Sequence, residues 1–289
     1  MLITLLSNGI IIGSIYALVT LGFVLAFRSI DAFNFFHGEL YMLGAFLGFA
    51  FNSLLKFPMI LSLLLAILIT GLVGIMVERI AIRPLLSAPR FQIIFATATL
   101  GLIIRHSILL YTKAEAKLFP QYLPATPLKI LNVQFKPQQL LIIAMTIILI
   151  ISLYAFFGKT KLGKAMRASA SNIRAAVLMG VNVDLTQMLT FGIASVLGAA
   201  AGILAAPLFI VDANMGQFMI TKIFCVAVLG GLNSTTGAII AGYLLGITEN
   251  LVGGYISTDY QDAIAFIIIL LVLIVRPTGI MGKKVLVKV

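Results

Sequence analysis

Long apolar runs divided by short polar joints constrain this chain more than any other feature of its sequence. A helix that spans a hydrocarbon core of about 30 Å needs roughly 20 apolar residues, and several of the runs reach or approach that length. Of 289 residues, 61% are hydrophobic and only 10% are charged. A water-soluble domain of this size has no need of so much apolar surface. The sequence therefore predicts an all-α, polytopic membrane protein.

The runs predict a bundle of eight or nine transmembrane helices that forms one domain over residues 1–289. One run, at 222–232, is only about half a span and is followed by the joint GGLNSTTG, so some helices are expected to be short, broken or re-entrant. The other predicted spans cover about 3–27, 40–55, a third that ends near 77, 91–111, 140–157, 185–210, 238–252 and 263–275.

Pairs of glycines spaced as G-x-x-x-G recur within these runs. Small residues four positions apart let two helices approach closely in a membrane, where no hydrophobic effect drives helices together. The pattern therefore predicts a tightly packed bundle. The pairs are Gly9/Gly13, Gly44/Gly48, Gly198/Gly202 and Gly242/Gly246.

The net charge of +11 reflects the topology of the chain. No run of basic residues is interleaved with aromatic residues, as a nucleic-acid surface would require. Thirteen of the 20 Lys and Arg residues lie at joints on one side of the predicted bundle and six at joints on the other. The positive-inside rule then predicts a cytoplasmic C-terminus. With nine crossings the N-terminus is outside, and with eight it is inside.

The sequence gives no support for a disulfide, a metal site, a nucleotide-binding site or a catalytic site. The lone Cys225 excludes a disulfide, and His37 and His106 lack the spacing of metal ligands. The Gly-Lys-Thr at 158–160 lacks the earlier glycine of a nucleotide-binding loop. No hydrolase motif or paired-carboxylate arrangement occurs, so we expect no enzyme and no cofactor in this chain. The first run has no cleavage site and is expected to be retained.

Residues 158–187, here called the basic segment, form the most basic joint and are predicted to be cytoplasmic. They hold five basic residues against one acid. The pattern predicts a short helix with Ser169 or Ser171 as N-cap and Gly180 as C-cap. Asp184 is expected to cap the next span, with Gln187 in capping-box position.

Two interpretations of the basic segment stay open from the residues alone. It is either a solvated loop that obeys the positive-inside rule or a docking helix for a cytoplasmic partner. The predicted apolar face of its helix consists of Ile173, Val177 and Leu178.

Arg105, followed by His106, forms the strongly polar pair well inside a predicted span. An arginine at mid-bilayer costs at least about 2.5–3.5 kcal/mol. Arg105 therefore either snorkels to the outer headgroups or faces a path through the protein. A second polar stretch, Asn34 to Glu39, is read either as an ordinary helix cap with Asn34 as the capping residue or as part of a functional motif.

The motif interpretation is strengthened by a resemblance. The stretch N-F-F-H-G-E-L-Y-M-L-G, from Asn34 to Gly44, resembles the first signature of inner-membrane permeases of branched-chain amino-acid ABC importers. Further pieces of that family's pattern follow in order over almost the whole chain. They are Glu78-Arg79 with Arg83-Pro84, G-K-A-M-R-A from Gly163, V-L-G-G from Val228, Ser257-Thr258 with Tyr260 and Asp262, and P-T-G-I from Pro277. Phe36, Asn233 and Arg105 depart from the pattern.

The resemblance implies a passive permease subunit that forms the translocation path for branched-chain or related amino acids in a bacterial inner membrane. Its partners would be membrane lipid, a second permease of similar fold, two cytoplasmic ATP-binding subunits, which bind the ATP, and an extracytoplasmic substrate-binding protein. Coupling to the ATPase would fall to Gly163, Lys164, Arg167, Ala168, Ile173, Arg174, Ala176, Val177, Leu178, Gly180 and Asp184. A cytoplasmic gate or structural motif would comprise Asn34, His37, Gly38 and Glu39, and Arg105 would face the translocation path.

Two alternatives remain, an ion-coupled secondary transporter and a channel for a small polar solute. The first needs an acid at mid-membrane beside a broken helix. Against it, five acidic residues are predicted near span ends: Glu39, Glu78, Asp212, Glu249 and Asp262.

Overall fold

Helices dominate the computed structural model, which describes residues 1–120, 126, 128–130 and 133–282. The predicted basic C-terminal end, with Lys283, Lys284 and Lys288, lies outside the described residues. The α-helices are α1 (Leu2–Ile30), α2 (His37–Phe49), α3 (Met59–Val77), α4 (Arg90–Thr112), α5 (Pro137–Lys159), α6 (Lys161–Ser171), α7 (Ile173–Leu178), α8 (Val183–Ala205), α9 (Met215–Gly230), α10 (Thr235–Tyr255) and α11 (Gln261–Val275).

Seven helical stretches in the described part of the chain are long and apolar enough to cross a membrane, which confirms the predicted polytopic all-α class. They correspond to α1, α3, α4, α5, α8, α10 and α11, some of them extended by short π or 3₁₀ turns. Two further helices are shorter. One is α2, which continues as a π-helical turn over Ala50–Leu54, and the other is α9.

Two sets of contacts define the ends of the bundle. At the end that holds the basic segment, here called the basic end, Gln187 Nε2 donates to Ser29 O at 3.2 Å. Also at the basic end, Ile280 N donates to Leu229 O, near the end of α9, at 2.8 Å. At the opposite end the backbones of Lys117 and Val211 pair at 2.8 and 3.0 Å. Within the described residues, seven helical stretches are long enough to run between these ends, and the shorter α2 and α9 bring the helices of the bundle to nine.

The sequence placed the half-span at 222–232, whereas α9 begins at Met215. The polar residues Gln217 and Thr221 made the first turns of α9 hard to recognise as part of an apolar run. Gln217 contacts Arg105 of α4, and Thr221 Oγ1 donates to Gln217 O within α9. The joint before α9 therefore ends at Asn214, and Lys222 belongs inside a helix of the bundle. The long loop between α4 and α5 carries a small antiparallel hairpin, β1 (Leu128–Ile130) with β2 (Val133–Phe135).

Helix α1 lies at the centre of the bundle, where 89% of its apolar span is buried. It packs most extensively against α10 and α8. The predicted close approach at glycines is confirmed, because the pairs Gly9/Gly13 and Gly242/Gly246 face each other across α1 and α10. A Cβ added at Gly246 would lie 2.4 Å from Gly13 N, so the two backbones touch directly.

Candidate functional site

The basic segment folds into α6 and α7, each capped by a side chain that the sequence analysis did not choose. Thr160 Oγ1 accepts a hydrogen bond from Gly163 N at 2.9 Å, and Asn172 Oδ1 accepts one from Ala175 N at 3.0 Å. The prediction of a serine cap was wrong, because Ser169 and Ser171 lie within α6 and donate to carbonyls four residues earlier.

The next span also begins differently from the prediction. Asn182 is the N-cap of α8, since its Oδ1 accepts from Leu185 N at 3.0 Å. Asp184 lies in the first turn, where its charge favours the helix N-terminus. Gln187 does not complete a capping box and instead bonds to Ser29.

The predicted end of the short helix is correct. Gly180 has φ +76°, in the left-handed region that favours glycine. Gly180 N donates to Val177 O at 2.9 Å and Val181 N to Ala176 O at 3.0 Å. These two bonds are the Schellman arrangement, which closes the last turn of α7.

Helix α7 presents an apolar surface to the outside of the chain. Ile173 is 48% exposed, Val177 57%, Leu178 87% and the adjoining Met179 83%. Ala176 is only 3% exposed, so it packs against the chain and cannot itself reach a partner. We call the four exposed side chains the α7 patch.

The other residues assigned to coupling divide into exposed and structural ones. Gly163 lets α6 turn back on α5, since a Cβ there would lie 2.3 Å from Phe156 O. Asp184 is held by Arg83, which donates to the Asp184 carbonyl at 3.0 Å and to the buried Glu78 carboxylate at 3.2 Å. The exposed residues are Lys164, Arg167, Ala168 and Arg174.

The stretch Asn34 to Glu39 lies inside the bundle. His37 is fully buried, and its Nε2 lies 2.9 Å from Val19 O in the middle of α1. Asn34 Oδ1 accepts from Phe36 N at 3.1 Å, so Asn34 forms a local turn two residues before Phe36, the N-cap of α2. The interpretation of Asn34 as the capping residue is therefore wrong. A Cβ on Gly38 would lie 2.4 Å from Gly216 O, so α2 and α9 begin against each other.

Arg105 is bound by this region. Its Nε donates to Glu39 Oε1 at 3.2 Å, and its two Nη atoms contact Glu39 and Gln217. The side chains of Arg105 and Glu39 are 13% and 4% exposed. Arg105 therefore faces protein and does not snorkel, and the anion that it meets is Glu39 of its own chain. The Oε2 atom of Glu39 has no hydrogen-bond partner among the described residues.

A second buried ion cluster was missed by the sequence analysis. Lys222 Nζ lies 2.5 Å from Glu249 Oε1 and 2.7 Å from Asp262 Oδ1, and Tyr16 donates to Glu249 Oε2 at 2.8 Å. The expectation that the acids lie at span ends is thus wrong for Glu249, which is buried within α10. Glu39 does lie in the first turn of α2, but it is also buried, and a basic side chain neutralises each of the two acids. The sequence did contain a signal for this cluster, namely a lysine and a glutamate within two neighbouring apolar runs.

A cavity of about 420 Å³ opens beside this cluster. Its walls are mainly apolar and aromatic, and Tyr16, Tyr41, Lys222 and Asp262 bring polar groups to it. Phe209 to Asp212 contribute to its rim at the end opposite the basic segment. Apolar walls with a few convergent polar groups are typical of a small-molecule site.

Comparison with known proteins agrees with this architecture. PsaBC from Streptococcus pneumoniae, solved in complex with a Fab, has a similar fold, with a TM-score of 0.52 and 14% sequence identity. The likeness covers 95% of this chain and 91% of that one.

Two curated relatives are closer in sequence. The high-affinity branched-chain amino acid transport system permease protein BraD of Pseudomonas aeruginosa is 31% identical over 291 residues, which is 96% of this chain and 95% of BraD. LivH of Salmonella typhimurium, a permease protein with the same description, is 31% identical over 290 residues, which is 96% of this chain and 94% of LivH.

A family model described as the permease component of branched-chain amino acid transport systems matches residues 5–273. Its members are transport permeases and not enzymes, and the described part of this chain has seven helical stretches long and apolar enough to cross a membrane. The chain belongs to this family of branched-chain amino acid transport permeases.

Proposed function

We propose that the chain is the membrane-spanning permease of an ATP-driven importer that carries branched-chain or related amino acids across a bacterial inner membrane. The relatives BraD and LivH are permeases for high-affinity branched-chain amino acid transport. The chain has no nucleotide-binding motif and needs no cofactor of its own. Two cytoplasmic ATP-binding subunits supply the energy, an extracytoplasmic binding protein delivers the solute, and a second permease of similar fold completes the path.

The exposed α7 patch is the observation that carries this proposal. Four apolar side chains at a membrane-protein end that also bears Lys164, Arg167 and Arg174 do not suit a solvated loop. Apolar anchors within a charged rim are typical of a protein interface. We infer that an ATP-binding subunit covers the patch, with Arg174 meeting an acidic group that sets the orientation.

The contacts of α7 support a route for motion into the bundle. Only the four residues 179–182 separate α7 from α8, and the Gly180 turn and the Asn182 cap hold both ends of this joint. Arg83 connects the start of α8 to Glu78 at the end of α3. A push on α7 would reach α8 and α3 together, because a rigid joint transmits displacement that a mobile loop would absorb.

The orientation that coupling requires is supported by charge. With Lys222 placed inside the bundle, ten basic residues of the described part of the chain belong to the basic end and five to the opposite end. The positive-inside rule puts the basic end, and with it the C-terminus, in the cytoplasm.

The test compares two equal changes at opposite ends of the molecule. Leu178→Asp places a charge in the α7 patch, and Leu118→Asp does the same at a site that is 79% exposed at the other end. We expect Leu178→Asp to abolish co-purification of the ATP-binding subunits from membranes, and Leu118→Asp to retain it. Both variants should insert into the membrane normally, because both substituted side chains are exposed. Wild-type co-purification with Leu178→Asp would contradict the proposal.

A second measurement separates the proposal from its alternatives. Uptake by an ATP-driven importer should stop with vanadate and persist with a protonophore. An ion-coupled transporter would give the reverse result, and a channel would respond to neither.

A further inference from the structure

The ion cluster around Lys222 carries more negative than positive charge. Lys222 contacts both Glu249 and Asp262, so one cation faces two carboxylates. Glu249 is satisfied, because it also accepts the Tyr16 hydroxyl and its side chain is only 7% exposed. The remaining negative charge therefore belongs to Asp262, whose side chain is 77% exposed at the mouth of the cavity. Asp212 lines the same cavity and adds a second carboxylate.

A positively charged group is what this mouth would bind best. Asp262 shares its one cation, Lys222, with Glu249, and a carboxylate whose charge is only partly neutralised beside a cavity of low polarity favours a nearby cation. No group of three or more His, Cys, Asp or Glu side chains in the described part of the chain is arranged to hold a metal ion. An organic ammonium fits better, since it needs only one or two carboxylate acceptors.

The rest of the cavity suits the remainder of an amino acid. Lys222 has a third N–H beyond its two ion pairs, which can donate to a carboxylate. Ile15, Met219 and Phe266 supply an apolar wall. The volume of about 420 Å³ lies within the range of roughly 300–1,000 Å³ found for small-molecule sites.

Two positions of the family pattern that are far apart in sequence meet at this cavity, Tyr41 within the first signature and Asp262 near the end of the chain. The rim at Phe209 to Asp212 lies at the end that a binding protein would approach in the proposed orientation. The cavity therefore lies at the entrance of the proposed path, at the end of the bundle opposite α6 and α7.

We propose that this cavity is an entrance site that binds an aliphatic α-amino acid as its zwitterion. Asp262 receives the ammonium group, Lys222 the carboxylate, and the apolar wall the side chain. This assignment rests on the proposed transport function, and it adds a site and a mode of recognition. It also moves substrate recognition away from Arg105, whose guanidinium is already occupied by Glu39 and Gln217.

The experiment measures equilibrium binding of tritiated L-leucine to the purified full-length chain in detergent, without any partner. Asp262→Asn should weaken leucine binding by roughly tenfold or more, because a charge-assisted contact is lost. Asp259→Asn is the matched control, since it removes an exposed acid three residues away that does not line the cavity. It should bind leucine as the wild type does.

Two leucine analogues test which group of the solute Asp262 and Lys222 each bind. L-Leucinol lacks the carboxylate and 4-methylpentanoate lacks the ammonium, so both should compete at least tenfold more weakly than leucine. The double change Lys222→Gln/Glu249→Gln removes an ion pair without leaving a lone buried charge. In that variant leucinol should compete as well as leucine.

Several results would overturn the assignment. They are equal leucine binding by wild type and Asp262→Asn, equal loss in Asp259→Asn, or no saturable leucine binding by the wild type up to about 10 mM. None of these touches the co-purification test with Leu178→Asp, so failure of the entrance site is distinguishable from failure of the proposed function.

Discussion

Glu39 and Arg105 neutralise each other between α2 and α4, where neither side chain is open to water. We expect Arg105→Gln to destabilise the protein, since removal of one partner of a buried ion pair costs about 3–5 kcal/mol. The lost arginine would leave Glu39 charged, with Oε2 already lacking a hydrogen-bond partner in the described structure. The midpoint of thermal unfolding of the purified permease in detergent measures this loss.

The double variant Arg105→Gln/Glu39→Gln provides the control, because it removes both charges. It should recover most of the lost stability. A double variant as unstable as Arg105→Gln would mean that the guanidinium acts through packing and not through the charge of Glu39. Any transport defect of Arg105→Gln should be interpreted only beside this comparison.

Glycines in this bundle differ sharply in what surrounds them. A Cβ at Gly202 would lie 2.0 Å from Tyr41 O, whereas a Cβ at Gly158 would meet nothing within 4 Å. Gly202→Ala should therefore cost about 1–3 kcal/mol by forcing α8 away from α2. Gly158→Ala should be neutral or stabilise α5 by about 0.5–1 kcal/mol. Thermal unfolding of the two variants measures the contrast, and equal effects would contradict it.

Among the elements, α7 illustrates what sequence reasoning can reach. Its apolar residues and its final Gly180 were predictable, because helical spacing and a left-handed cap are local properties. Its start was predicted wrongly, since Ser169, Ser171 and Asn172 are all good capping residues. The continuation of α6 through both serines decides among them, and that depends on how α6 packs against α8.

Gly180 permits a direct test of the α7 turn. Gly180→Val should strain the left-handed position by roughly 1–2 kcal/mol, and Gly180→Asn should cost less because Asn tolerates that region. Hydrogen exchange of the amides at positions 180 and 181 should then be about 5–30-fold faster in Gly180→Val than in the wild type. Unchanged exchange would show that the turn is held from elsewhere.

The pairing of α9 with α10 marks the limit of prediction from the sequence. The charge count placed Lys222 at a joint and Glu249 at a span end, because each was judged only against its neighbours in the chain. Their contact joins two helices through packing with α1 and Tyr16. No periodicity within one run contains that information.

At the scale of the whole molecule, α1 ends at the basic end, where Ser29 contacts Gln187, so Leu2 at its start lies at the end opposite the basic segment. Single cysteines at positions 115 and 171, both exposed, test the orientation in a Cys225→Ala background. A membrane-impermeant maleimide should label position 115 in intact cells, and position 171 only after the membrane is opened. Cys225 is 1% exposed, so the parent protein should label little in either state.

Labelling at 171 from outside would reverse the topology and remove the basis for docking at the α7 patch. The protein class followed from the apolar runs alone, because membrane thickness fixes the length of a spanning helix. The runs left the number of crossings open at eight or nine. The short helices α2 and α9 were harder to place, since their polar first turns are satisfied inside the bundle.

The burial of α1 also has a consequence for biogenesis. Helix α1 leaves the ribosome before α8 and α10, which cover most of it and begin only at Val183 and Thr235. At roughly 5–20 residues per second, ~8–41 s of translation separate α1 from these neighbours. Its mean hydropathy of 2.4 allows α1 to remain in lipid during this time. The polar Ser14 side chain is satisfied within the helix, because it donates to the Ile10 carbonyl. Helix α1 therefore enters the membrane before the helices that enclose it, and nascent chains that stop before α8 should leave it accessible to crosslinking from lipid.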